Sequence, residues 1–217
     1  MKLPNDTQRI TVIGKTGSGK TQAGAWLLSE RSYTTRPWIL FDFKRERLLN
    51  AIPFAKHIGI DDKVPERPGI YLTHPIPGQR DRVDDMLWRI WDREHTGVFI
   101  DEAYMMHQRS DALLAVLTQG RSKNIPVIML TQRPNWVTRF AFSEADYIQL
   151  FQLTDNRDKK TVKEFMPLPI EHPLPGKYYS WWYDNSHNFK AVLSPVPDAS
   201  TILDRFYARL KPSRERY

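Results

Sequence analysis

Cysteine is absent from the 217 residues. That absence excludes a disulfide framework, thiolate zinc sites and a cysteine nucleophile, and it fits a reducing compartment. Long apolar runs are missing as well: no stretch approaches the roughly 18 residues that a membrane-spanning helix requires. Met1 to Gln8 lack the apolar centre expected of a secretory signal. There is no internal repeat of the length that builds solenoids, and no low-complexity tract. Acidic excess is lacking too, with 32 Lys plus Arg against 25 Asp plus Glu, a net charge of +7. A surplus of that sign suits a polyanionic partner, although it decides nothing about fold. What is present is 41% hydrophobic and 26% charged residues, the balance of a folded chain rather than a disordered one. The length suffices for one well-buried domain with at most a small appendage.

The apolar pattern alternates between short β-rich runs and amphipathic stretches. Residues 9–13 predict a first strand, a glycine-rich turn follows at once, and a helix is expected over about 20–30. Trp38, Ile39, Leu40 and Phe41 predict a second strand ending at Asp42. Between 43 and 68, scattered Pro and Asp suggest a short helix and loops, and 70–72 a further short strand. Residues 79–94 predict an amphipathic helix, with Val83, Met86, Leu87, Ile90 and Trp91 on one face. Gly97-Val98-Phe99-Ile100 is a buried strand that ends in Asp101-Glu102, and Ser110 is a candidate N-cap for a helix over 111–121. Residues 125–130 and 147–153 supply two more strands. Continuously apolar strands separated by helices imply an α/β fold, its mostly parallel sheet covered by helices on both faces. The last third differs: 177–183 and 188–193 read as a C-terminal β-hairpin, 198–210 as a terminal helix, and Lys211, Arg214 and Arg216 as a basic tail.

Gly14-Lys15-Thr16-Gly17-Ser18-Gly19-Lys20-Thr21 fits G-x-x-x-x-G-K-[ST] between a predicted strand and a predicted helix, where the motif has to be. Its glycines let successive N–H groups converge on phosphate oxygens, and the helix N-terminus adds its dipole. Lys20 can then reach the β- and γ-phosphates of ATP, while Thr21 can ligate Mg²⁺. About one chain in a hundred of this size would match the spacing by chance, and the flanking strand and helix lower that further.

Asp101 ends a buried strand, where open α/β sheets place their ligands, and can hold the Mg²⁺ of a bound nucleotide. Glu102 can polarise a water for attack on the γ-phosphate, a role that simple phosphotransferases do not need. Gln132 closes a neighbouring strand and could contact the γ-phosphate or the attacking water. Arg121 could act in trans as an arginine finger, with Arg133 competing for that role.

With these motifs placed, the chain resembles the HerA/FtsK superfamily of P-loop DNA-pumping ATPases. The likeness rests on Gly14 to Thr21, on Asp42-Phe43-Lys44 and on Ile100-Asp101-Glu102. It rests most on the run from Gly120-Arg121 through an apolar strand to Thr131-Gln132-Arg133-Pro134. Many relatives have proline in place of Phe43. The resemblance implies a RecA-like core over about 8–165, with a hairpin and helix over about 166–217, all in one domain. The Gln132 strand would lie between the phosphate-loop strand and the Asp101 strand. A homo-oligomeric ring, usually a hexamer, would bind ATP between subunits and pass double-stranded DNA through its centre. Glu102 would be the catalytic base, Gln132 the sensor and Arg121 the finger. A bare core of this length looks like the genome-packaging ATPases of tailless viruses with an internal membrane. That implies a place in the host cytoplasm and at the packaging vertex of the virion, with capsid-vertex proteins as further partners. A filamentous-virion assembly ATPase and a P-loop phosphotransferase acting on a small acceptor are the alternatives.

A motor indifferent to sequence should contact backbone phosphates. Candidate donors on loops after the strands are Arg109, Lys123 and Arg139, joined by Arg157, Lys159 and Lys160 at the start of a predicted helix. The aromatic run from Tyr178 to Tyr183 is expected to pack in the hairpin rather than stack on bases.

Overall fold

The computed structural model describes residues 4–107 and 109–211. Its elements open with β1 (Ile10–Ile13), α1 (Lys20–Ser29), β2 (Pro37–Asp42), α2 (Arg47–Asn50), β3 (Lys56–His57), β4 (Gly69–Thr73) and α3 (Arg80–Arg93). They continue with β5 (Gly97–Asp101), α4 (Asp111–Gln119), β6 (Val127–Thr131), α5 (Phe140–Ser143), β7 (Tyr147–Phe151) and α6 (Asn156–Phe165). The chain closes with β8 (Ser180–Asp184), β9 (Phe189–Leu193) and α7 (Ala199–Leu210). Arg214 and Arg216 of the basic tail lie outside the described residues.

The nine strands of the described residues join one sheet in the order β3-β4-β2-β5-β6-β1-β7-β8-β9. Pairings from β3 across to β7 are parallel, and β8 and β9 then add on in antiparallel fashion. Parallel neighbours need crossover connections, which is why helices alternate with the strands and end up on the sheet's faces. Strand alternation sorts the apolar side chains. Ile39, Phe41, Val98, Ile100, Val127 and Met129 meet Val83, Met86 and Leu87 of α3 and Leu113, Val116 and Leu117 of α4. Ile10, Val12, Trp38, Leu40, Ile128 and Leu130 point the other way, to Ala23, Leu27 and Leu28 of α1 and Ile202 and Phe206 of α7. Each central strand is therefore buried on both sides, as its unbroken apolar run requires.

Local chemistry sets several boundaries. Ser110 caps α4 as expected: its hydroxyl accepts from the Leu113 N–H at 2.9 Å and donates to Asp84 at 2.7 Å. That helix stops at Gln119, short of Arg121: Gly120 keeps helical dihedrals, but its carbonyl accepts from Ile125 N–H at 2.7 Å, five residues on, and closes a turn. β6 starts at Val127 and not at 125, since Pro126 has no N–H to give the ladder. The two-residue β3 was not anticipated; an exposed pair is too short to leave a periodicity. The hairpin forms where predicted, but β8 begins only at Ser180, because Tyr178 adopts a left-handed backbone, φ 68°. Inside it Trp182 is buried and stacks on Tyr147 of β7, ring centroids 5.1 Å apart, so packing accounts for that aromatic.

Candidate active site

The strand order places β6 between β5 and β1, and all three deliver their carboxyl ends to the same edge. The phosphate loop leaves β1 there, Asp101-Glu102 close β5, and Gln132 follows β6. Gly14 N–H donates to the Thr131 carbonyl at 3.1 Å and ties the loop to the Gln132 strand. Ligands of open α/β sheets bind outside this edge.

The loop's curl depends on glycine. Gly17 and Gly19 have φ of 76° and 92°, and a Cβ on Gly19 would sit 3.1 Å from the ring of Tyr178. α1 begins at Lys20 with no acidic residue in its first turn, so its free N–H groups and positive dipole end face the cavity uncompensated. That cavity, about 360 Å³, is lined by Gly17, Gly19, Lys20 and Thr21 on one side and by Lys44 and Glu102 on the other. Backbone donors and lysines without a counter-anion in the loop are the chemistry of a polyphosphate site.

The acids reach this cavity through a break in strand geometry. Consecutive strand residues point to opposite faces, yet Lys20 Nζ lies 3.7 Å from Asp101 Oδ1 and 3.1 Å from Glu102 Oε1. Glu102 makes that possible by leaving the strand in the left-handed region, φ 59° and ψ 59°, a conformation costly for a residue with a side chain. Both Asp101 oxygens and Glu102 Oε2 are buried without a hydrogen-bond partner among the described residues. Burial, opposed by the Lys20 ammonium and aided by Glu102 and Asp42, pushes the Asp101 carboxyl up to about 7. A buried carboxylate without a hydrogen-bond partner, 3.7 Å from Lys20 of the phosphate cradle, fits a hard divalent cation, which would supply further positive charge.

Gln132 accepts from the Thr16 hydroxyl at 2.5 Å and donates to the Tyr104 hydroxyl at 2.8 Å, so the loop, the β6 terminus and the turn after β5 are linked through one amide. Lys44 Nζ lies 2.6 Å from Glu102 Oε1. Burial alone would lower that ammonium, but the Glu102 hydrogen bond and charge outweigh it and hold it above the ordinary lysine value. Sequence reading gave Lys44 no role, although Asp42-Phe43-Lys44 carried part of the family likeness. The position of Tyr178 against Gly19 was likewise not read; its aromatic run was the only signal.

The remaining candidates separate. Arg121 is exposed in the turn at residues 120–124, at the opposite, amino edge of the sheet. A strand of this length spans roughly 15 Å, so its side chain and this chain's own phosphate loop lie on different edges. Arg133 stays on the carboxyl edge, within 3.6 Å of Asp155 and 3.5 Å of Asp158. Lys123 corrects an expectation, because it precedes β6 and sits at the amino edge, 2.6 Å from Glu94. Arg139 pairs with Glu164 at 2.9 Å and Lys159 with Glu171 at 3.2 Å. Among the described residues Arg109, Arg157 and Lys160 are exposed cations without an acidic partner.

A phosphate loop, a paired acid and a polar residue just past the intervening strand, held in a mostly parallel sheet, define a P-loop ATPase with a RecA-like core. The chain is 44% identical over 216 residues, 95% of each chain, to the DNA packaging ATPase P9 of Enterobacteria phage PRD1. At that identity and coverage it belongs to the family of viral DNA packaging ATPases that P9 represents. No protein-family model matches the chain. Among solved structures it is similar to the genome packaging NTPase B204 of Sulfolobus turreted icosahedral virus 2 in complex with ATP-gammaS. There the TM-score is 0.69 at 15% identity, over 89% of this chain and all of that one. The N-terminal domain of zonular occludens toxin from Neisseria meningitidis has a similar fold, with a TM-score of 0.53 at 15% identity, over 89% of this chain and 97% of that one.

Proposed function

We propose that the chain is an Mg²⁺-dependent ATPase that moves double-stranded DNA into a preformed capsid, working as a ring of identical subunits. The observation that carries this is the meeting of Lys20, Asp101, Glu102 and Gln132 at one sheet edge, in a chain of the DNA packaging ATPase family. Loop N–H groups and Lys20 bind the triphosphate, and Thr21 and Asp101 would hold Mg²⁺. The ion, when bound, would offset negative charge on the β- and γ-phosphates. Glu102 takes the proton of the attacking water, and the Gln132 amide reports the terminal phosphate to the phosphate loop through Thr16 and to Tyr104.

Arg121 supports an assembled ring. Among the described residues no acid pairs with this exposed arginine, and it stands on the edge away from its own phosphate loop. Subunits packed amino edge to carboxyl edge would deliver it to a neighbour's ATP, whereas Arg133 is already engaged by Asp155 and Asp158. The net charge of +7 suits DNA. Arg109, Arg157 and Lys160 are the cations best placed for its phosphates. This activity locates the protein in the host cytoplasm and then at the packaging vertex, docked on capsid-vertex proteins.

Steady-state ATP turnover with and without duplex DNA, read beside the sedimentation profile, tests the proposal. Turnover should require Mg²⁺, rise with DNA and rise with assembly. Turnover indifferent to both DNA and assembly would refute the motor reading.

A further inference from the structure

Glu102 meets two ammonium groups through one oxygen. Lys20 Nζ lies 3.1 Å and Lys44 Nζ 2.6 Å from Oε1, while Oε2 is buried with no partner among the described residues. A general base needs a free lone pair within reach of the water it activates, and here one oxygen is occupied twice while the other is buried away from solvent. Lys20 has a function in the proposed site; Lys44 has none. Yet Lys44 lines the same cavity as Lys20 and Thr21. It enters from the end of β2, and its side chain is 36% exposed where that of Lys20 is 5% exposed. The next residue, Arg45, turns the backbone through the left-handed region, φ 55°, so Lys44 hangs from an open turn and not from a packed strand.

An ammonium 2.6 Å from a carboxylate is also an ammonium for which a terminal phosphate competes. That phosphate carries more charge and three acceptor oxygens, and hydrogen bonds between ionised partners are the strong ones. We infer that Lys44 is a second cation for the terminal phosphate, leaving Glu102 for it when a nucleoside triphosphate enters. The exchange couples substrate arrival to release of the base. A triphosphate draws both ammonium groups off Glu102 and frees the carboxylate for water. A diphosphate ends one phosphate short, so Lys44 stays on Glu102 and the base stays covered. Lys44 thereby sets the preference for triphosphate over diphosphate, an inference that rests on the ATPase reading of this site.

Calorimetric titration of the full chain with Mg²⁺ and either AMPPCP or ADP tests it, using wild type, Lys44→Ala, Lys44→Arg and Lys20→Ala. Lys44→Ala should weaken AMPPCP by about tenfold, the scale of one charge-assisted contact, and leave ADP within about twofold. Lys44→Arg keeps the cation and should recover most of the AMPPCP affinity. Equal weakening of both nucleotides in Lys44→Ala would make Lys44 a structural prop and overturn the inference, as would no change in either. If wild type binds neither nucleotide, or Lys20→Ala binds both like wild type, the nucleotide site itself is misassigned and this inference falls with it.

Discussion

At the amino edge of the sheet Arg9 is buried and paired within the chain: Asp146 at 3.3 Å, Glu144 at 3.2 Å and the Leu117 carbonyl all accept from its guanidinium. The Asp146 carboxylate also accepts from the Arg9 backbone N–H at 2.7 Å, pinning the starts of β1 and β7 together. At the carboxyl edge, only one strand length away, Asp101 is buried more deeply still and has no hydrogen-bond partner on either oxygen among the described residues. Both edges bury charge. The first compensates it within the chain, as a structural ion pair must. The second compensates it only in part, with Lys20 Nζ 3.7 Å from Asp101 Oδ1 and burial raising the Asp101 carboxyl. Unmet buried polarity thus separates the working edge from the scaffolding edge more sharply than the presence of charge does.

Three substitutions would break or sharpen that contrast. The largest expected effect belongs to Arg121, which is exposed on the scaffolding edge and so should matter to turnover without mattering to stability. Arg121→Ala should lower ATP turnover of the assembled protein by about 10³–10⁵-fold and shift the folding free energy by no more than about 0.5 kcal/mol. Mixing it with Glu102→Gln subunits should restore part of the activity, since the two lesions would fall in different sites; mixtures as inactive as their components would refute a finger acting in trans. On the working edge, Glu102→Gln should lose about 10²–10⁴ in turnover while still binding ATP. Wild-type turnover in that variant would show that another group is the base. The smallest effect on turnover should come from Asp146→Ala, which uncovers the buried Arg9. It should destabilise the fold by about 3 kcal/mol in denaturant titration, with KM for ATP unchanged. A changed KM without lost stability would mean the two edges are not independent.

How much of this could be read before the fold is best seen residue by residue. The phosphate loop was legible because its glycines, lysine and threonine are contiguous and their spacing is itself the mechanism. Asp101-Glu102 was legible because an acidic pair ends an otherwise apolar run. Gln132 was legible as a strand terminus, but its bonds to Thr16 and Tyr104 depend on residues more than twenty positions away. Lys44 was visible as part of a motif and silent about its partner, because Glu102 lies 58 positions further along. Lys123 was misplaced relative to its strand, and its grip on Glu94 needed the turn between α4 and β6 to be seen.

The sequence by itself determined the elements and their chemistry: apolar runs that must be buried on both faces, helices with one apolar stripe, and a loop whose composition suits phosphate. Those follow from backbone sterics and from the free energy of removing apolar surface from water, both of which act locally. The family resemblance implied that the Gln132 strand lies between the phosphate-loop and Asp101 strands, as it does, but the rest of the strand order came only from the tertiary structure. It brought Lys44 to Glu102 at the edge shared by Lys20, Asp101 and Gln132, and it set Arg121 on the other. Neighbourhood in a sheet is set by long-range pairing and crossover connections, and no local pattern in the chain encodes it.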